Sequence, residues 1–338
     1  MEPQEPTGAT GGYDEVELQA LIARWVGSDR VPRALRIITD TSDFFGVDYD
    51  DVVLLGERPY LVRNNEREGR FGIDDEQKFW VKRSVDLTDG STKIIKLVFH
   101  ERFESKVGGL VFQCVRSPRK EARILDLVKG HPRFMQGFSL SDSAGNTVRV
   151  LDYIKGKKFC DYVLELGRSY QEYFSEHFPA VLDEFMELVE AVRFLHRNGE
   201  KHGDIRRDHA IRDSATGLCR WIDFDFDYLH KENMYGYDLF GLGNILVYLV
   251  GRGDVTTQAL SVSNPAALRR LTEGDVNIIF ANRVVNLQKV FPYIPDALNA
   301  VLLHFSSGAE VFYDTTDQLL DDLREVRALL PTNKREGP

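Results

Sequence analysis

The chain has 338 residues, 43% of them apolar, and a net charge of −10 at pH 7. That length suits one bilobal domain with extensions or two to three smaller domains, and an acidic chain with no local basic stripe argues against nucleic acid as its main partner. No unbroken apolar run reaches bilayer length and no basic-then-apolar leader opens the chain, so a soluble, cytoplasmic protein without a membrane partner is expected.

The three cysteines, Cys114, Cys160 and Cys219, are widely spaced, which argues against a disulfide framework and a cysteine zinc site. "MEPQEPTGATGG" is rich in glycine, proline and polar residues, so residues 1–14 are read as a disordered tail. "EVELQALIARWV" carries Leu18, Leu21, Ile22 and Trp25 at helical spacing. It opens an N-terminal extension, residues 15–56, whose plainest role is packing.

From residue 57 the character is β-rich. "RPYLV", "KFWVKRSVDL" and "TKIIKLVF" read as strands, with the turn signal "LTDGS" between the last two. "SPRKEARILDLVKGHP" reads as a helix with both ends marked: Ser117 as N-cap, Pro118 in the first position, Gly130 and Pro132 as the stop. Strand-like residues then run to "NTVRVLDYIKG". This strand-rich half spans 57–155. A helix-rich half follows over 156–331, opened by the amphipathic run "FPAVLDEFMELVEAVRFLHRNG", and residues 332–338 form a tail.

That long helix delivers the chain to "EKHGDIRRDHAI". Next comes "RDSATGLCRWIDFDFDY", in which "GLCRWIDF" reads as a strand between polar turns. Asp204 and Asp223 therefore flank a small hairpin. Phosphoryl transfer to a hydroxyl needs few groups: one carboxylate for the hydroxyl proton, another for a divalent cation, and a positive side chain to brace the nucleotide. Taken singly, each of these residues is more often a turn residue or a solvated charge.

In order, however, the motifs resemble the protein kinase superfamily, in particular the eukaryotic-like serine/threonine kinases of bacteria. The family pattern is His-Arg-Asp, four residues, Asn, then Asp-Phe-Gly, and the two places read "HGDIRRDH" and "DFD" here. "KIIK", ending at Lys96, is similar to the lysine strand, and "RKEARILDLVKGHP", with Glu121, to the helix that carries its glutamate partner. "VRVLDYIKGKKF" resembles the hinge and "YDLFGLGNILVYLVG" the central helix of the helical lobe.

The resemblance implies an α+β, bilobal fold: a small β-rich lobe with one main helix and a larger α-helical lobe. It implies a phosphotransferase that moves the ATP γ-phosphate to a hydroxyl, with protein serine or threonine as the default acceptor. Small-molecule kinase is one alternative, and a pseudokinase serving as nucleotide-binding or interaction scaffold is another. Asp204 would be the catalytic base and Arg206 a brace for the γ-phosphate. Lys96 would pair the phosphates and Glu121 orient Lys96. Leu151 would be the gatekeeper, and the backbone at Asp152 and Ile154 would meet the adenine. Asp223 would hold Mg²⁺, or Mn²⁺, with His209 and Asp225 as further ligands. Asp238 would brace the catalytic loop.

Five features depart from the family pattern. His209 stands at the asparagine and Asp225 at the glycine of Asp-Phe-Gly. The glycine-rich loop reduces to Gly69 and Gly72 of "REGRFGIDDEQ". The stretch from Asp223 to Asp238 is short, and Gly203 replaces the arginine that pairs with a phosphorylated activation loop.

Overall fold

Runs such as Val52–Leu55 and Thr92–Lys96 are rich in β-branched residues, which fit a pleated, half-buried surface. The computed structural model describes residues 12–70, 73–107, 110–229 and 233–331. The chain divides into two compact units. The first is Met1–His100, Glu121–Gly130 and Gln136–Tyr153; the second is Glu101–Lys120, His131–Met135 and Ile154–Pro338.

The first unit is organised by a seven-stranded sheet. Its order is Ile37–Ile38, Val52–Leu55, Arg58–Arg70, Ile73–Asp86, Thr92–Lys96, Thr147–Asp152 and Gly137–Ser141. Only the first pair is parallel. Successive side chains alternate between faces, and the core divides accordingly. Val53, Tyr60, Val62, Ile95 and Val150 bury one face with Phe44 and Trp80 against it. Val52, Leu61 and Leu87 bury another cluster with Leu18 and Ile22 of the Glu15–Trp25 helix. That helix opens on a capping box between Asp14 and Glu17, and Trp25 donates its indole N–H to the Leu87 carbonyl at 3.0 Å. The N-terminal extension thus shares the apolar core of this sheet.

The second unit is mostly helical. Phe178–Arg197 buries Leu182, Phe185, Leu188, Val192 and Leu195, an apolar stripe at helical spacing. It ends before Gly199, whose φ of +74° lets the chain turn away. Gly236–Gly251 is apolar on nearly all sides and is correspondingly buried. Asp296–Leu303 and Thr316–Leu329 close the chain. The hairpin of Ala210–Asp213 and Cys219–Trp221 is present, with Gly156–Lys158 added as a third strand.

Residues 101–120 group with this helical unit rather than with the strand-rich half that surrounds them in sequence. Arg102–Val107 and Leu110–Arg116 form an antiparallel pair, and Phe226–Leu229 adds to it in the register Phe226 opposite Arg116 and Leu229 opposite Gln113. Phe112, Cys114, Tyr228 and Phe240 make the core beneath. Among the described residues no helix is long and apolar enough to cross a membrane.

Candidate active site

In the first unit the Thr92–Lys96 strand delivers Lys96 to the interior. Its Nζ donates to Glu121 Oε1 at 2.7 Å, with the lysine side chain 2% and the glutamate 0% exposed. The antiparallel register sets Lys96 directly opposite Arg149. Like charges so placed repel. Glu121 resolves this, because Arg149 Nε donates to its second oxygen at 3.0 Å. One carboxylate thus joins two buried cations. The pairing of Lys96 with Glu121 is the one the sequence implies. Arg149 leaves only a faint sequence signal, one basic residue within the apolar stretch "VRVL" of that strand.

Leu151 is buried in that same strand. Asp152 donates its amide to the Gln136 carbonyl at 2.9 Å, and its carboxylate accepts from Lys93 at 2.6 Å. Ile154 is half-buried and belongs to the second unit. Of the glycine pair, Gly69 lies in the Arg58–Arg70 strand and Gly72 lies outside the described residues.

In the second unit the loop after the long helix is held from below by Asp238, in the first turn of Gly236–Gly251. Its two oxygens accept the amides of His202 and Gly203, each at 2.8 Å, and His196 Nε2 lies 3.0 Å away. Burial pushes this carboxyl up, but the His196 contact and the Gly203 amide outweigh burial and hold it below the usual carboxylate range. His202 accepts the Asp204 amide on Nδ1 at 3.3 Å and packs edge-on against Trp221. Burial pushes its pKa down to about 3, so it is neutral and acts as a support.

Asp204 and Asp223 sit at the two ends of the hairpin, as the spacing predicts, and His209 lies between them. Its Nδ1 donates to the Asp204 carbonyl at 2.7 Å and is 3.5 Å from Asp204 Oδ2, while Nε2 is 3.6 Å from Asp223 Oδ2. Burial pushes the Asp204 carboxyl up, against the pull of His209 and Arg206, while Asp223 and Asp225 add to the rise. A base tuned upward accepts a proton more readily. Asp223 adopts φ +60°, a left-handed conformation that aspartate tolerates better than most residues.

A carbonyl can only accept, so Nδ1 of His209 carries the hydrogen and Nε2 is the nitrogen that faces Asp223. Asp223 and His209 offer one carboxylate oxygen and one imidazole nitrogen, a pair that suits Mn²⁺ better than Mg²⁺, which prefers oxygen ligands. Asp225 Oδ2 accepts from Arg116 Nη1 at 2.6 Å, with both side chains buried. That ion pair engages one of the two oxygens of the carboxylate expected to serve as a ligand. Arg206 donates to Asp208 at 3.0 Å, and Arg207 to Asp254 at 2.9 Å.

No family model matches the chain. It is similar to curated kinases. A Caenorhabditis elegans protein named for ribosomal protein S6 kinase alpha-2 is 24% identical over 66% of this chain and 25% of its own length. The CBL-interacting protein kinase 33 of Oryza sativa is 25% identical over 45% of this chain and 30% of its own length. The chain thus spans about a fifth to a third of the length of the curated relatives it matches. Among solved structures, the kinase domain of Mycobacterium tuberculosis PknI is similar over 79% of this chain and 95% of its own, at 12% identity and a TM-score of 0.49. By this sequence similarity the chain is a divergent relative of the protein kinase superfamily.

Proposed function

We propose that the chain is an ATP-dependent phosphotransferase that moves the γ-phosphate to a hydroxyl acceptor, with protein serine or threonine as the acceptor class. The observation that carries this reading is the arrangement of Asp204, His209 and Asp223 on a loop whose backbone is held by Asp238. In this reading Asp204 accepts or orients the hydroxyl proton. Arg206, in exchange with Asp208, meets the transferring phosphoryl. Lys96, oriented by Glu121, pairs the phosphates, and Leu151, Asp152 and Ile154 line the adenine. Asp223 and His209 hold Mg²⁺ or Mn²⁺. When bound, that ion neutralises charge on the phosphates.

The runner-up is a scaffold that binds nucleotide or partner without chemistry. The Arg116–Asp225 pair favours it, because it engages one oxygen of a carboxylate that would otherwise be open to the metal. The two readings separate in a transfer assay with labelled ATP, Mg²⁺ or Mn²⁺, and a mixture of protein acceptors. Wild type is expected to transfer label. Asp204→Asn is expected to lose about 10²–10⁴-fold in rate, the usual contribution of a positioned base, and to keep nucleotide binding. Equal rates in the two proteins remove Asp204 from its role, and no transfer with any acceptor leaves the scaffold.

A further inference from the structure

One buried ammonium gathers backbone carbonyls from two segments of the second unit. Lys120 lies in the first turn of the Pro118–Leu127 helix, its amide capped by Ser117 Oγ at 3.2 Å. Its Nζ donates to the carbonyl of His202 at 2.8 Å, to that of Phe224 at 3.1 Å and to that of Phe226. An ammonium has three donors and no acceptor, and here all are used on main chain. Burial pushes the pKa of Lys120 down to about 8, against the pull of Asp238, Asp227, Asp225 and Glu200, so the group is charged at neutral pH.

Gly203 explains why there is room. Its φ is +87°, and a Cβ built there would lie 1.8 Å from the Phe226 carbonyl oxygen and 2.9 Å from Lys120 Nζ. Any side chain at 203 would push the ammonium and the strand away from the loop. The departure of His-Gly-Asp from His-Arg-Asp and the burial of Lys120 are therefore two halves of one arrangement. Lysine is among the residues least often buried. Methionine would fill similar space without the desolvation cost, but it could not hold carbonyls from the His202–Asp204 loop and the Phe224–Phe226 segment at one point.

We propose that Lys120 is a positioning residue that clamps the Asp204 loop to the segment following Asp223, keeping the two aspartates in register without any modification of that segment. His202 immediately precedes Gly203 and Asp204, and Phe224 immediately follows Asp223, so the clamp acts one or two residues from each carboxylate. The clamp itself is a structural assignment. Its effect on rate rests on the phosphotransfer reading.

The test compares the full-length wild type with Lys120→Met by hydrogen exchange and steady-state ATP kinetics. Amides of 202–205 and 224–228 are expected to exchange about tenfold faster or more in the variant, the scale of one lost charge-assisted hydrogen bond. Those of Phe178–Arg197 are expected to stay as they are. kcat should fall at least comparably while KM for ATP holds, because Lys96 and Glu121 are untouched. Should Lys120→Met not fold, Lys120→Gln, which keeps a polar donor but not the charge, is read in the same way. Unchanged exchange in the two segments, or loosening that spreads equally into the long helix, overturns the clamp. Faster local exchange with unchanged kcat overturns the positioning role. Faster local exchange in a chain whose wild type transfers no phosphate supports the clamp and removes the phosphotransfer reading instead.

Discussion

Glu121 shows how much one carboxylate can hold in place. It is fully buried and touches Lys96 and Arg149, which face each other across adjacent strands. At a surface such a pair would be worth about 0–1 kcal/mol. Buried, the pair is not a net gain in itself, but removing one partner is costly because the other is left uncompensated. Glu121→Gln leaves two cations opposed. We expect it to lower stability by about 3–5 kcal/mol in chemical denaturation. A loss below about 1 kcal/mol would place the pair in the solvated class instead. The lysine and its glutamate were legible in the sequence because order and spacing single them out. Arg149 and Lys120 were not, since their meaning depends on strand register and on carbonyls far away in the chain.

At the scale of elements, most of the helices and strands follow from local pattern. The Pro118–Leu127 helix begins where Ser117 and Pro118 predict, and Phe178–Arg197 ends just before Gly199. The addition of Phe226–Leu229 to the Leu110–Arg116 strand is different. Strand pairing between segments so distant in sequence leaves no local periodicity to read. The same pairing draws residues 101–120 into the second unit and sets Arg116 beside Asp225. Helix packing supplies a further test at this scale. Gly243 lies in the interior of Gly236–Gly251, and a Cβ there would sit 2.1 Å from the Phe305 ring. Alanine normally gains about 1 kcal/mol over glycine in a helix. Overpacking costs about 1–3 kcal/mol, and a contact this close belongs at the upper end. Gly243→Ala is therefore expected to lower the melting temperature. A rise would mean that the Phe305 ring moves aside freely.

For the whole molecule, the proposed roles fall on both units: Lys96 and Glu121 on the first, Asp204, His209 and Asp223 on the second. Each unit is proposed to contribute to nucleotide binding. The most direct measurement is the shift in melting temperature on adding ATP with Mg²⁺ or Mn²⁺, taken for wild type, Lys96→Met and Asp223→Asn, each against its own unliganded value. Wild type at roughly 100 times the dissociation constant should gain about 2.7 kcal/mol of stability. Both variants, one in each unit, should lose most of that gain. A wild type that does not respond to any nucleotide–metal pair, or a variant in either unit that responds as the wild type does, would contradict the account.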